Sequence, residues 1–306
     1  MRNNQPISGP LTPMTSVPTS LLNRFMRHTP AMLSSTWIAV LVLVALAGPS
    51  IRPDASPHAN AQNLERSLLE PGATWEADDE RVQTFWLGTD RYGRDVLSRL
   101  MAGAAISLGV GFTAVLISLF IGILLGAWAG YRGGWVDAAI SWWIQVIWTL
   151  PTLLMVLAIT MAFGKGLWQV FLAIGLTMWV DVARVVRGQF MSLREMEFIE
   201  AAQAIGYSDL RIMFRHMLPN ALGPIIVIAA ANFAAAILIE SGLSFLGYGA
   251  QIPIPSWGNI VQEHYHLITG RHAWLAIAPG ALIVSVVLAF TFIGDGLREW
   301  HGQQSL

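Results

Sequence analysis

Charge is scarce in this 306-residue chain: Asp, Glu, Lys and Arg together make up 12% of it, about half the share usual in a soluble domain. Cysteine is absent, which excludes disulfides, iron–sulfur clusters and thiol catalysis. Lysine occurs once, as Lys165. The net charge of −1 leaves no electrostatic case for nucleic acid as a partner. Enzyme signatures are missing as well. No G-x-x-x-x-G-K-[ST] occurs, so the chain has no loop of the kind that cradles ATP phosphates. Neither H-E-x-x-H nor G-x-S-x-G is present. Gly164-Lys165-Gly166 reads as a short turn, not a phosphate loop.

What the chain has instead is apolar sequence, 54% of the total, with a mean hydropathy of +0.54. Crossing the hydrocarbon takes about 20 mostly apolar residues. Six stretches qualify, near Ala31–Ile51, Ala102–Gly130, Asp137–Phe163, Leu167–Val186, Ala221–Leu246 and Ala273–Ile293. The third contains Pro151, which predicts a kink. The expected fold class is an all-α membrane protein with six transmembrane helices in the lipid bilayer. Ala45-Leu46-Ala47 resembles a signal-peptidase site, but the leader before the first run is long and further spans follow. An uncleaved first helix is the better reading.

Arginine placement orients the bundle. Arg2, Arg24 and Arg27 precede the first span, Arg132 lies between the second and third, and Arg184, Arg187, Arg194, Arg211 and Arg215 cluster between the fourth and fifth. Arg298 follows the sixth. The short loops on the other side hold only Lys165 and Arg271. The segment 52–101 has six arginines but also nine acidic residues, and is a weaker voter. Both termini are therefore expected in the cytoplasm. The organisation reads as a tail over 1–30, a first helix over 31–51, an extracytoplasmic loop over 52–101, a five-helix core over 102–297 and a tail over 298–306.

The segment 189–219 is too long for a bare connector. Phe198, Ala201, Ala202 and Ile205 recur at helical spacing. Gly206 supplies a helix-ending position with free φ, and Ser208 or Asp209 can cap a second helix. There Leu210, Met213, Phe214 and Met217 fall on one predicted stripe, and Arg211 and Arg215 share another face. Pro219 is expected to end that helix, with Asn220 opening the fifth span. Periodicity predicts a surface helix–turn–helix and is equally satisfied by an amphipathic hairpin that only anchors the loop.

Other stretches carry weaker signals. Asp90 with Arg94 and Arg91 with Asp95 are i, i+4 pairs of opposite sign, a predicted ladder on a helix before the second span. Gly122, Gly126 and Gly130 permit close helix approach in lipid. Asp181 and Arg184 are expected to neutralise each other. Glu263-His264-Tyr265-His266 matches no metal signature and reads as a solvated loop, as does the acidic run Glu76, Asp78, Asp79 and Glu80.

Glu200-Ala201-Ala202-Gln203-Ala204-Ile205-Gly206 followed by Leu218-Pro219 resembles the cytoplasmic loop of permease subunits from bacterial ABC importers. Leu87–Arg99, Glu240–Gly247, Pro255-Ser256-Trp257-Gly258-Asn259 and Gly294–Arg298 narrow the resemblance to the dipeptide/oligopeptide/nickel importer permeases, and to the second of the two permeases in such a system. It covers residues 85–300. The resemblance implies the type I importer permease fold. It implies a non-catalytic subunit paired with a second homologous permease, two ATP-binding subunits carrying ATP and magnesium, and an extracytoplasmic binding protein. It also implies that Glu200, Ala201, Ala202, Gly206, Ser208, Asp209, Arg215, Leu218 and Pro219 couple to an ATPase. Asn232, Glu240, Ser241, Asp90, Arg94 and Asp95 are candidates for the path or an outer gate, with a local structural role for Glu240 as the alternative. Di- or oligopeptides are the expected cargo, with nickel or another small solute as the alternative. A membrane-embedded enzyme or a structural membrane protein would be a different class, and has no catalytic constellation in its favour.

Overall fold

The structure, a computed structural model, describes residues 28–76 and 82–302. The expectations for Arg2, Arg24, Arg27, Asp78, Asp79 and Glu80 lie outside these residues. Helix α1 (Thr29–Ile51) is followed by an outer segment containing strands β1 (Ala73–Glu76) and β2 (Val82–Phe85). Then come α2 (Val96–Arg132), α3 (Gly134–Thr149), α4 (Thr152–Phe163) and α5 (Leu167–Arg194). The remaining elements are α6 (Glu197–Ala204), α7 (Asp209–Arg211), α8 (Leu218–Phe245), α9 (Trp257–His264) and α10 (Trp274–Gly302). Among the described residues five rods are long and apolar enough to cross a membrane, or six if the bent pair α3–α4 counts as one.

Helices α2 and α5 run parallel along a glycine seam. A Cβ on Gly122 would meet Val182 and the Trp179 carbonyl, one on Gly126 the Ala183 carbonyl, and one on Gly130 the Arg187 carbonyl, each within 2.7 Å. The four-residue step in both helices keeps the contact on one face, and backbones approach closely because no side chain intervenes. Gly126→Ala places a methyl group against backbone that cannot move aside. It is expected to cost roughly 1–3 kcal/mol by overpacking, read as a lowered melting temperature of the purified protein. An unchanged melting temperature would show that the seam is looser than these distances imply.

Two expectations fail here and one is exceeded. The third span does not merely kink: α3 and α4 are bent by 93°. Proline forces the residue before it out of helical geometry, and Leu150 is extended at ψ 137°. Pro219 does not end a helix. It is the second residue of α8. A π turn over Ile212–Met217 carries the chain into α8, with Leu218 N donating to Met213 O, so Asp209–Phe245 is one rod. Asp181 and Arg184 do not form an ion pair. The Arg184 guanidinium lies 3.5 Å from the Trp148 ring centre instead.

The β1–β2 pair, antiparallel with Ala73 opposite Phe85 and Glu76 opposite Val82, is a small addition to the all-helical fold. It lies outside the spans, in the segment where no motif was legible.

Candidate functional site

At the end of the bundle that carries Arg132, Arg187 and Arg194, α6 leaves α5 through a short turn. Glu197 and Glu200 stand in its first turn, where negative charge suits the helix N-terminus. Its C-terminus is a Schellman cap: Gly206 N donates to Gln203 O at 2.9 Å and Tyr207 N to Ala202 O at 3.2 Å. The cap needs a left-handed residue, and Gly206 has φ +86° with open space where a side chain would begin. Ser208 takes the N-cap position of α7 but makes no capping hydrogen bond. Asp209 is committed elsewhere. It accepts from the Tyr131 hydroxyl at 2.8 Å and pairs with Arg132 at 2.9 Å. Arg194 donates to the Tyr131 carbonyl at 3.1 Å. The hairpin is thus tied to the last turn of α2 and is continuous with α8.

Ile199, Ala202, Ile212, Met213 and Met217 are buried in one cluster with Val186 and Phe190. The stripe expected from Leu210, Met213, Phe214 and Met217 is therefore split, because the π turn shifts the angular register. Met213 and Met217 face inward, while Leu210 is 67% exposed and Phe214 43%. On α6 the outward row is Phe198, Ala201 and Ile205, the last 71% exposed. With Gly206 it forms an exposed apolar row, while Leu210 lines the groove between α2 and the Asp209–Phe245 rod. Glu200, Ser208, Arg215 and Pro219 are at least partly exposed, and Leu218 is half-buried.

The opposite end holds a second constellation. Residues 87–95 are not helical, so the predicted charge ladder does not form. Asp90 and Arg94 do pair, at 2.6 Å and inside the protein. Arg91 stacks on Tyr92, and Asp95 instead caps α2, accepting from Ser98 N at 2.9 Å. Burial raises the Asp95 carboxyl above its ordinary value, opposed by the hydrogen bonds from Ser98. Arg94 also reaches Glu263 at 2.5 Å, and Arg99 reaches the same oxygen at 3.0 Å.

Glu263 and His264 are therefore not in a solvated loop; both are buried at the end of α9. A Ser256–Asn259 capping box starts that helix. Trp257, wholly buried, donates from Nε1 to the Leu100 carbonyl at 3.0 Å and anchors the helix to α2. Asp90, Glu263 and His264 bring ligand atoms within 4.8 Å of one another. Two guanidinium groups already occupy the carboxylates, and their charge opposes a further cation.

His264 Nδ1 lies 2.8 Å from the Ile260 carbonyl, which fixes the proton there and leaves Nε2 bare. Burial holds the ring's pKa below its ordinary value, with the Ile260 contact, Asp90 and Glu263 opposing. The neutral ring's contribution is complete above the ordinary histidine value and falls away as pH drops below it. Lowering the pH from about 7.5 to about 5.5, across that value, is expected to destabilise the protein. His264→Asn, which keeps a donor for Ile260, should flatten that part of the pH–melting profile. An identical profile in both proteins would show that another group titrates.

The remaining candidates are interior. Glu240 is 0% exposed and is held by the hydroxyls of Ser244 at 2.7 Å, Ser107 at 3.3 Å and Ser241 at 3.5 Å. Asn232 is buried and donates to the Met178 carbonyl at 3.4 Å. Within this chain Asn232, Glu240, Ser241, Asp90, Arg94 and Asp95 all pack against its own elements. Sequence reasoning missed Glu263; its only signal was a carboxylate in a segment rich in aromatic and histidine residues.

A glycine-seamed helical bundle with a hairpin at its basic end is a multi-pass membrane architecture. Residues 122–304 match the family described as binding-protein-dependent transport system inner membrane component, and residues 20–71 match the N-terminal transmembrane domain of oligopeptide transport permease C. The chain belongs to this permease family, as the second-permease type, and is a multi-pass inner-membrane protein. It is the non-catalytic membrane component of a system that also has ATPase and binding-protein partners.

Among its relatives, the dipeptide transport system permease protein DppC of Alkalihalophilus pseudofirmus is 39% identical over 86% of this chain and 82% of its own length. The glutathione transport system permease protein GsiD of Pectobacterium atrosepticum is 34% identical over 90% and 87%. A solved structure titled as inward-facing conformations of the MetNI methionine ABC transporter matches 67% of this chain and 97% of its own, with TM-score 0.54 and 19% identity. That likeness bears on the fold alone.

Proposed function

We propose that this chain forms the translocation path of a di- or oligopeptide importer together with a second homologous permease, driven by two ATP-binding subunits that hold the ATP and magnesium. Arginine bias supports placing the hairpin, residues 1–30 and residues 298–306 in the cytoplasm, and residues 52–101 outside. The observation that carries the coupling role is the hairpin's construction. An exposed apolar row, Phe198, Ala201, Ile205 and Gly206, is joined to two spanning rods. One joint is Asp209 with Tyr131 and Arg132 on α2; the other is the unbroken run into α8. A partner ATPase that moves this row then moves α2 and α8, and so alters the membrane path.

Peptide cargo is supported by relatives named for dipeptide and oligopeptide transport. A relative named for glutathione transport favours a second reading, a short peptide with an unusual linkage. Two measurements test the proposal. Mild-detergent purification of the tagged chain, followed by mass spectrometry, should recover a second permease and ATPases carrying P-loops. ATP-dependent uptake in vesicles containing the whole transporter should follow labelled di- and oligopeptides supplied with the binding protein. Recovery of the chain alone after crosslinking at 200–206 would overturn the coupling role. Uptake of glutathione or nickel without peptides would overturn the cargo.

A further inference from the structure

Beside the hairpin lies a groove of about 400 Å³, between the last turns of α2 and the start of the Asp209–Phe245 rod. On the α2 side Leu124, Trp128 and Arg132 follow at i, i+4 and i+8, one stripe of the helix. On the other side stand Asp209, Leu210, Met213 and Phe214. The two walls grade in the same sense. Arg132 and Asp209 form the cytoplasmic rim, Trp128 comes next, and Leu124 and Phe214 lie deeper. Leu124, Trp128 and Phe214 are all more than a third exposed, so the groove opens sideways. A tryptophan one turn below an arginine marks the headgroup level of a bilayer.

We propose that this groove binds an inner-leaflet glycerophospholipid with a zwitterionic phosphate–ammonium headgroup. One acyl chain lies along Leu124, Trp128 and Phe214. The phosphate takes Arg132 and the ammonium takes Asp209. The rim carries one cation and one anion 2.9 Å apart, which matches a headgroup that itself carries both signs. A singly anionic headgroup would satisfy Arg132 and be repelled by Asp209. The Arg132–Asp209 pair is half-exposed, so a headgroup can reach both charges, and the planar guanidinium has donors to spare for a phosphate.

The test uses the complete transporter in vesicles with phosphatidylethanolamine or phosphatidylglycerol carrying a diazirine in one acyl chain, followed by peptide mapping. Phosphatidylethanolamine is expected to label the Leu124–Trp128 and Met213–Phe214 segments about fivefold more than phosphatidylglycerol, the scale of a surface ion pair. Leu124→Trp, which fills the groove, should remove both labels. Asp209→Asn should erase the headgroup preference while keeping acyl labelling. Equal labelling by both lipids in the unaltered transporter would overturn the headgroup assignment. Labelling that ignores Leu124→Trp, or a crosslink from a partner subunit in place of lipid, would overturn the site. These readouts do not depend on transport, so they fail separately from the importer proposal.

Discussion

Glu263→Ala is expected to prevent stable folding of the outer end of the bundle. One carboxylate serves two buried guanidinium groups, Arg94 at 2.5 Å and Arg99 at 3.0 Å. Arg94 would keep Asp90 and Asn60. Arg99 would keep only Asp90, at 3.9 Å, with its Nε and Nη1 already without hydrogen-bond partners among the described residues. Removing one member of a buried ion pair costs about 3–5 kcal/mol, because the other charge is stranded. That is a large share of a typical protein's whole stability. The mutant should melt far below the parent or fail to accumulate in membranes. Glu263→Gln combined with Arg99→Met removes the stranded charge and should recover much of the loss, since contacting residues couple. A melting temperature unchanged by Glu263→Ala would mean that the cluster is hydrated and contributes little.

Gly206→Trp is expected to give the opposite pattern, an inserted and assembled permease with transport reduced at least tenfold, equivalent to about 1.4 kcal/mol of lost coupling or more. Among the described residues nothing beyond Gly206's own chain neighbours lies within 4 Å of the position a Cβ would take, so bulk there enters open space. The left-handed φ adds strain of roughly 1–2 kcal/mol for any residue with a Cβ. That strain is local to the Schellman cap and leaves the spans intact. Gly206→Ala carries the same strain without the bulk. If both mutants transport equally poorly, backbone strain explains the loss; if tryptophan alone fails, steric exclusion of the partner does. Normal uptake by Gly206→Trp would remove the exposed row from the coupling mechanism.

Much of this protein was legible before its fold was known. The apolar runs, the glycine seam at Gly122, Gly126 and Gly130, and the Gly206 turn all follow from local rules: hydropathy over about 20 residues, a four-residue repeat of small side chains, and a helix end that needs positive φ. The hairpin's existence was readable for the same reason. Its inward and outward faces were not, because the π turn at Ile212–Met217 breaks the periodicity used to assign them. Pro151 and Pro219 looked alike as helix breakers. Only their places, at a 93° break and as the second residue of α8, separated them.

The outer charge cluster marks the boundary most sharply. From sequence, Asp90 and Arg94 were neighbours of opposite sign, and Glu263 stood 169 positions beyond Arg94 in a stretch that read as a solvated loop. The sequence alone determined the membrane class, the arginine asymmetry and the motifs, since each depends on residues close together in the chain. Tertiary structure decided that Glu263 holds both arginines and that Glu240 is caged by serines. It also tied Asp209 to α2, because burial and long-range charge pairing depend on which segments the packed helices bring together.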